Sequence, residues 1–197
     1  MSGISGVSNS YSSYSMYGKI ASGSRIQSAA DDAAGLAISE KLTSQENGLN
    51  KGTQNAQSGQ DLLNVSDGAL GSITDNLQRI RELAVQASSG LLTDSDKKDI
   101  QAEVDQLKQG IGDIADQTTF NTKPILNGDS SLSMATDSNG NSVSVNTTNA
   151  TLSALGIEDF DVTGDFSIDT IDKALDKVTT ARAKGGAQYN ALSSTIS

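Results

Sequence analysis

From Leu42 to Ala87 the sequence repeats every seven residues without a slip. One set of positions reads Leu42, Leu49, Ala56, Leu63, Leu70, Leu77 and Ala84, and its partner set reads Gln45, Gly52, Gly59, Ser66, Ile73, Ile80 and Ala87. An apolar period of 3.5 residues held over this length predicts one continuous helix docked along other helices. At a rise of about 1.5 Å per residue, that helix would span roughly 70 Å. Burying the Leu and Ile members of the seam is worth about 10–20 kcal/mol. Ordering the same backbone costs about 1–2 kcal/mol per residue, so the helix needs partners along its length. The chain supplies two. Ile100, Val104, Leu107, Ile111 and Ile114 continue the pattern, as do Ile171, Leu175, Val178, Gly185, Tyr189, Leu192 and Ile196. The expected fold class is mainly α: an elongated, coiled-coil-like bundle of long helices.

Composition narrows the chemistry. The chain of 197 residues contains no His and no Cys. A Ser-His-Asp triad, a histidine metal site, a thiol nucleophile and a disulfide are therefore all excluded. Paired carboxylates could still serve a secreted hydrolase, but a thin helical bundle without Trp offers no cleft for a sugar. No catalytic, cofactor-binding or metal-binding residues are assigned, and no cofactor is expected. A net charge of −10 argues against nucleic acid or an anionic membrane as partner. No segment approaches the roughly 20 apolar residues of a membrane span. Residues 1–18 carry neither a basic patch nor an apolar run, so a chain that leaves the cell is expected to do so without a cleaved signal peptide.

Local signals place the elements. Ile4, Val7, Tyr11, Tyr14, Tyr17 and Ile20 keep helical spacing in a Ser-, Tyr- and Gly-rich opening, which reads either as a helix formed on association or as a disordered tail. Ser28 and Asp31 form a capping-box pattern that would start the long helix near Ala29, and Ser88-Ser89-Gly90 would end it. Thr93 with Asp96 opens a second helix over about 94–117. Lys123-Pro124 reads as a short extended piece. Leu132 and Met134, then Val143 and Val145, alternate about Asn139-Gly140, a hairpin signal. The stretch to Gly164 is polar and reads as loop, and a third helix runs from about Ile168. Its seam is still in register at Ser197, as in a helix cut short. Gly52 and Gly59 each cost about 1 kcal/mol within a helix, and are read as sites where a neighbouring helix approaches closely.

Three stretches carry a resemblance. Residues 22–40, Ser-Gly-Ser-Arg-Ile-Gln-Ser-Ala-Ala-Asp-Asp-Ala-Ala-Gly-Leu-Ala-Ile-Ser-Glu, resemble the N-terminal signature of bacterial flagellin. The run Asn76-Leu77-Gln78-Arg79-Ile80-Arg81-Glu82-Leu83-Ala84-Val85-Gln86 is similar to a second family motif. Ile100-Gln101-Ala102-Glu103, followed by Thr119-Phe120-Asn121 and Ile125-Leu126-Asn127-Gly128, is similar to a third. The likeness resumes at Ile168-Asp169-Thr170-Ile171-Asp172-Lys173-Ala174-Leu175. Departures include Thr122 where the family usually has Gly, Gly185 for Leu and Ala191 for Arg.

The resemblance implies a domain plan. Residues 1–30 would be an inner-domain segment and 31–127 the rod. Residues 128–165 would form a hairpin and loops in place of variable domains, and 166–197 the returning rod helix. It implies a structural subunit of the flagellar filament, secreted to the bacterial flagellum, whose partners are other flagellin subunits and the flagellar export machinery. It further implies a ligand for the flagellin-sensing Toll-like receptor 5, with Arg79 as central contact and Gln78, Leu83 and Glu103 beside it. The alternatives are a hook–filament junction protein and, from another class, the carboxylate hydrolase. Helix-seam packing is assigned to Leu42, Leu49, Leu63, Leu70, Ile73, Leu77 and Ile80.

Two weaker patterns are noted. Asp159, Asp161 and Asp165 resemble the start of a calcium loop, but position twelve is Thr170 rather than Glu, so a polar turn is expected. Asn146-Thr147-Thr148 and Asn149-Ala150-Thr151 are sequons, relevant only to a chain made in a eukaryotic cell.

Overall fold

The structure, a computed structural model, describes residues 33–196. The expectations for the opening segment and for the Ser28–Asp31 cap lie outside the described residues. The chain divides into two compact units, Met1–Asn50 and Lys51–Ser197.

In the first unit, the described residues belong to helix α1 (Ala33–Ala87). Its stripe is open: Ile38, Leu42 and Leu49 are 61%, 59% and 53% exposed. The expected seam packing at Leu42 and Leu49 is therefore corrected. Among the described residues, no other element of this unit covers that stripe.

The second unit holds the rest of α1 with α2 (Asp94–Gln117) and α4 (Ile168–Ile196). Here Ala56, Leu63, Leu70, Ile73, Leu77 and Ile80 are buried in one core with Ile100, Val104 and Ile111 of α2 and Ile171, Val178 and Leu192 of α4. Both partner helices run antiparallel to α1. Arg79 meets Glu103 on α2, while Arg81 meets Asp172 and Asp67 meets Arg182 on α4. The stripe is wider than a strict two-position seam, because Leu62 and Leu83 are buried as well. That width fits a helix packed against two neighbours rather than one.

The boundaries follow from local chemistry. Helix α1 stops at Ala87, and the Ser88 hydroxyl donates to the Val85 carbonyl at 2.6 Å. Thr93 caps α2 reciprocally: its backbone N–H donates to the Asp96 carboxylate at 2.8 Å, and its hydroxyl accepts from the Asp96 N–H at 3.3 Å. These bonds hold the Asp96 carboxyl below the usual carboxylate range, with the Thr93 backbone as the main cause.

Beyond α2 the chain forms two small antiparallel ladders. Strands β1 (Thr119–Phe120) and β2 (Lys123–Pro124) pair across Asn121 and Thr122, both at positive φ (47° and 66°). A β-branched residue at such a φ is strained. Strands β3 (Ser131–Ala135) and β4 (Ser142–Asn146) form the expected hairpin, with Leu132 opposite Val145 and Met134 opposite Val143. Its connection is wider than a two-residue Asn-Gly turn. The Thr136 N–H donates to the Asn141 carbonyl at 2.9 Å, and the Asp137 carboxylate accepts from the backbone N–H groups of Asn139 and Asn141.

The stretch expected to be plain loop contributes buried residues to the same core. Helix α3 (Leu152–Leu155) is capped by Thr151 and closed by Gly156 at φ 82°. After it Ile157, Phe160 and Val162 are buried, and Phe160 meets Phe166 edge-on at 5.9 Å. Short spacing and few apolar residues hide this burial from periodicity, because irregular backbone has no fixed period.

Candidate interaction surface

Arg79 lies on the exposed side of α1, beside the buried Ile80. Its Nε donates to Glu103 Oε1 at 2.8 Å, and a terminal nitrogen donates to Glu82 Oε2 at 3.0 Å. Its side chain remains 49% exposed. Glu103, then Glu82, raise the guanidinium pKa above its ordinary value, so Arg79 is a fixed cation. Solvent screens exposed ion pairs of this kind, so they add little to stability. The pair can therefore be exchanged for a partner's groups at small cost.

Of the residues expected beside Arg79, Gln78 is exposed and Glu103 reaches Arg79 from α2. Leu83 is different. It is 2% exposed within the bundle, so it is corrected from a surface contact to a packing residue beneath the face. The helical period explains the miss: Leu83 falls four residues after Arg79, but on the side of the stripe that a second neighbouring helix covers.

Side chains that spacing could not single out pin the irregular segments to the helices. The Asn55 amide donates to the Ala135 carbonyl at 2.9 Å, fixing the end of β3 on α1. Gln101 Oε1 accepts from the Val162 N–H at 2.8 Å, and Gln188 Oε1 accepts from the Asn146 N–H at 3.1 Å. Lys108 Nζ donates to the Phe160 carbonyl at 3.1 Å, and Lys177 Nζ donates to the Ala154 carbonyl at 2.7 Å. Lys177 thus neutralises the C-terminal end of α3. Nothing in a single sequence marks these residues, since each partner is a backbone group of a distant segment.

Gly52 and Gly59 do mark a close approach, but chiefly to the hairpin. A Cβ on Gly52 would overlap the Thr136 carbonyl, lying 2.5 Å from its carbon. A Cβ on Gly59 would lie 2.8 Å from Met134 Sδ and 2.9 Å from Leu192 Cδ1. The expected neighbour was a helix. Strand β3 and its loop fill that role at Gly52, and strand and helix share it at Gly59.

The described residues hold no group of three or more acidic side chains placed for a metal ion. Asp161, from the calcium-like pattern, accepts from the backbone N–H and the hydroxyl of Thr163, each at 2.7 Å. An open groove of about 1190 Å³ runs between the hairpin base and α4, lined by Ser130, Thr147, Asn149, Thr180 and Lys184 among others. No described helix is long and apolar enough to cross a membrane.

Comparison with known proteins gives the same picture. Residues 5–131 match the bacterial flagellin N-terminal helical region. Phase 1 flagellin of Salmonella naestved is 39% identical over 147 residues, covering 74% of this chain and 29% of the relative. The chain therefore spans well under half the length of the curated relatives it matches. The crystal structure of Bacillus cereus flagellin superposes with a TM-score of 0.63 at 28% identity, covering 73% of this chain and 87% of that one. A Vibrio parahaemolyticus chain provisionally assigned as a flagellar hook-associated protein superposes at 0.69, covering 86% and 92%, but at 14% identity that likeness concerns the fold alone.

Proposed function

The chain belongs to the bacterial flagellin family, and on that premise we propose that it serves as a structural subunit of the flagellar filament. The family is structural rather than enzymatic, and its place is the extracellular filament. The observation that carries the proposal is the match over residues 5–131, which includes the uncovered stripe of Ile38, Leu42 and Leu49. A heptad stripe left open among the described residues is one that helices from other subunits can complete. In this reading residues 1–30 belong to an inner segment, 31–127 and 166–197 to the rod, and 128–165 to the hairpin region. The export machinery is a partner in transit. The absence of Cys fits passage as an unfolded chain, because no disulfide can lock a fold beforehand.

A second role rests on the same family. The face around Arg79, with Gln78 and Glu103, serves as the docking site for Toll-like receptor 5. An Arg rooted among apolar residues and flanked by carboxylates has the makeup of an interface hot spot.

Immunogold labelling of cells that produce the chain tests the assembly role. Label along the length of flagella is the expected result. Label confined to the hook–filament junction would move the assignment to a junction protein, and label away from flagella would overturn both.

A further inference from the structure

The geometry points to an oxidative modification site at Met134, where a peroxide converts the thioether to a sulfoxide and loosens the hairpin from α1 and α4. Met134 is the one Met among the described residues. It stands on β3 opposite Val143, half-buried at the edge of the core. Its sulfur lies 2.8 Å, and its methyl 3.5 Å, from the place a Cβ on Gly59 would occupy, and Leu192 Cδ1 closes the same space at 2.9 Å. The thioether thus fills a notch where the hairpin, α1 and α4 meet.

Partial exposure leaves the sulfur open to a small oxidant. In the reaction, a sulfur lone pair attacks one oxygen of hydrogen peroxide and the O–O bond breaks. That oxygen's hydrogen moves to the departing hydroxide, which leaves as water. Sulfur loses two electrons and the peroxide gains them. The product is longer, polar and a strong acceptor. The groups shown beside it offer no side-chain donor: Gly59 has no side chain, and Leu192 and Val143 are apolar. An oxygen turned into the notch stays unpaired, which is costly, so it turns toward solvent and draws the side chain out of its contact with Gly59 and Leu192, weakening the strand's packing. The nearest remaining ties are Asn55 to the Ala135 carbonyl and Thr136 against Gly52. A reductase for methionine sulfoxide would restore the contact.

The test treats the whole chain with graded hydrogen peroxide, maps sulfoxides by peptide mass spectrometry and follows thermal unfolding by circular dichroism. Met134→Leu serves as control, because it keeps Met1 and Met16. The expected result is a Met134 sulfoxide formed in the folded chain with Tm lowered by about 2–4 °C or more, reversed by sulfoxide reductase and absent in Met134→Leu. Protection of Met134 while the other methionines react would overturn the proposal. So would an unchanged Tm after its oxidation, or an equal loss in Met134→Leu.

Discussion

Arg79 Nε donates to Glu103 Oε1 at 2.8 Å, so the cation at the centre of the family's second motif is joined across two helices to a residue of its third. The two residues lie 24 apart in sequence. The antiparallel turn from α1 into α2 makes them one face.

Replacing Arg79 by Ala tests that face. Receptor affinity is expected to fall about 5- to 100-fold, in the range of a hot-spot truncation, with Tm unchanged, because the ion pairs it loses are exposed. Surface plasmon resonance with the receptor ectodomain measures it. Leu83→Ala should behave oppositely, costing about 2–5 kcal/mol of stability. Unchanged binding for Arg79→Ala would remove it from the interface.

Gly52→Ala weighs two effects of opposite sign. Helix propensity favours Ala by about 1 kcal/mol, but the new Cβ meets the Thr136 backbone, and such overpacking costs about 1–3 kcal/mol. The net expectation is destabilisation. Gly68→Ala and Gly71→Ala, with open space at the new Cβ, should instead stabilise by about 1 kcal/mol. Urea titration separates them. Stabilisation of Gly52→Ala would mean that Thr136 does not press on α1.

Thr122→Gly relieves a β-branched side chain at φ 66°. A gain of about 1 kcal/mol is expected, somewhat reduced by the greater freedom of Gly in the unfolded chain. A loss in denaturant midpoint would show that the Thr122 hydroxyl, which donates to the Asn121 carbonyl at 2.6 Å, outweighs the strain.

Acid sensitivity follows from depressed carboxyls, Asp67 and Asp96 among them. A hydrogen bond from Arg182 lowers the pKa of Asp67, and the Thr93 backbone lowers that of Asp96. The native state then holds fewer protons than the unfolded chain. Their stabilisation is present above the ordinary carboxylate pKa and fades as pH falls below about 4. Tm should be flat on this account between about pH 5 and 8, and then decline. The decline should be shallower in the Asp67→Asn, Asp96→Asn double variant, and an unaltered slope would contradict the assignment.

The repeat and the caps made the helices legible: the Thr93–Asp96 box opens α2 at Asp94, and the expected third helix begins at Ile168. Alternation about Asn139-Gly140 located the hairpin and the pairing of Leu132 with Val145. What stayed hidden depends on contacts between distant segments. Leu83 and Leu42 look alike as helical Leu residues, yet one is buried and the other open, since burial is decided by what lies opposite. Likewise Gln101, Lys108 and Lys177 hold backbone carbonyls and N–H groups that carry no residue-specific signal. The Arg79 face was legible only through likeness to a family, because a lone surface ion pair has no sequence signature.

Assembly is the central claim, and seeded sedimentation tests it most directly. The chain would be mixed with sheared filament seeds of a related flagellin under salting-out conditions, pelleted, and viewed by negative-stain electron microscopy. The account predicts that the chain joins the pellet and that filaments lengthen, as subunits close the stripe of Ile38, Leu42 and Leu49. A chain that stays in the supernatant as a folded, helical monomer, with seeds unchanged, would contradict it.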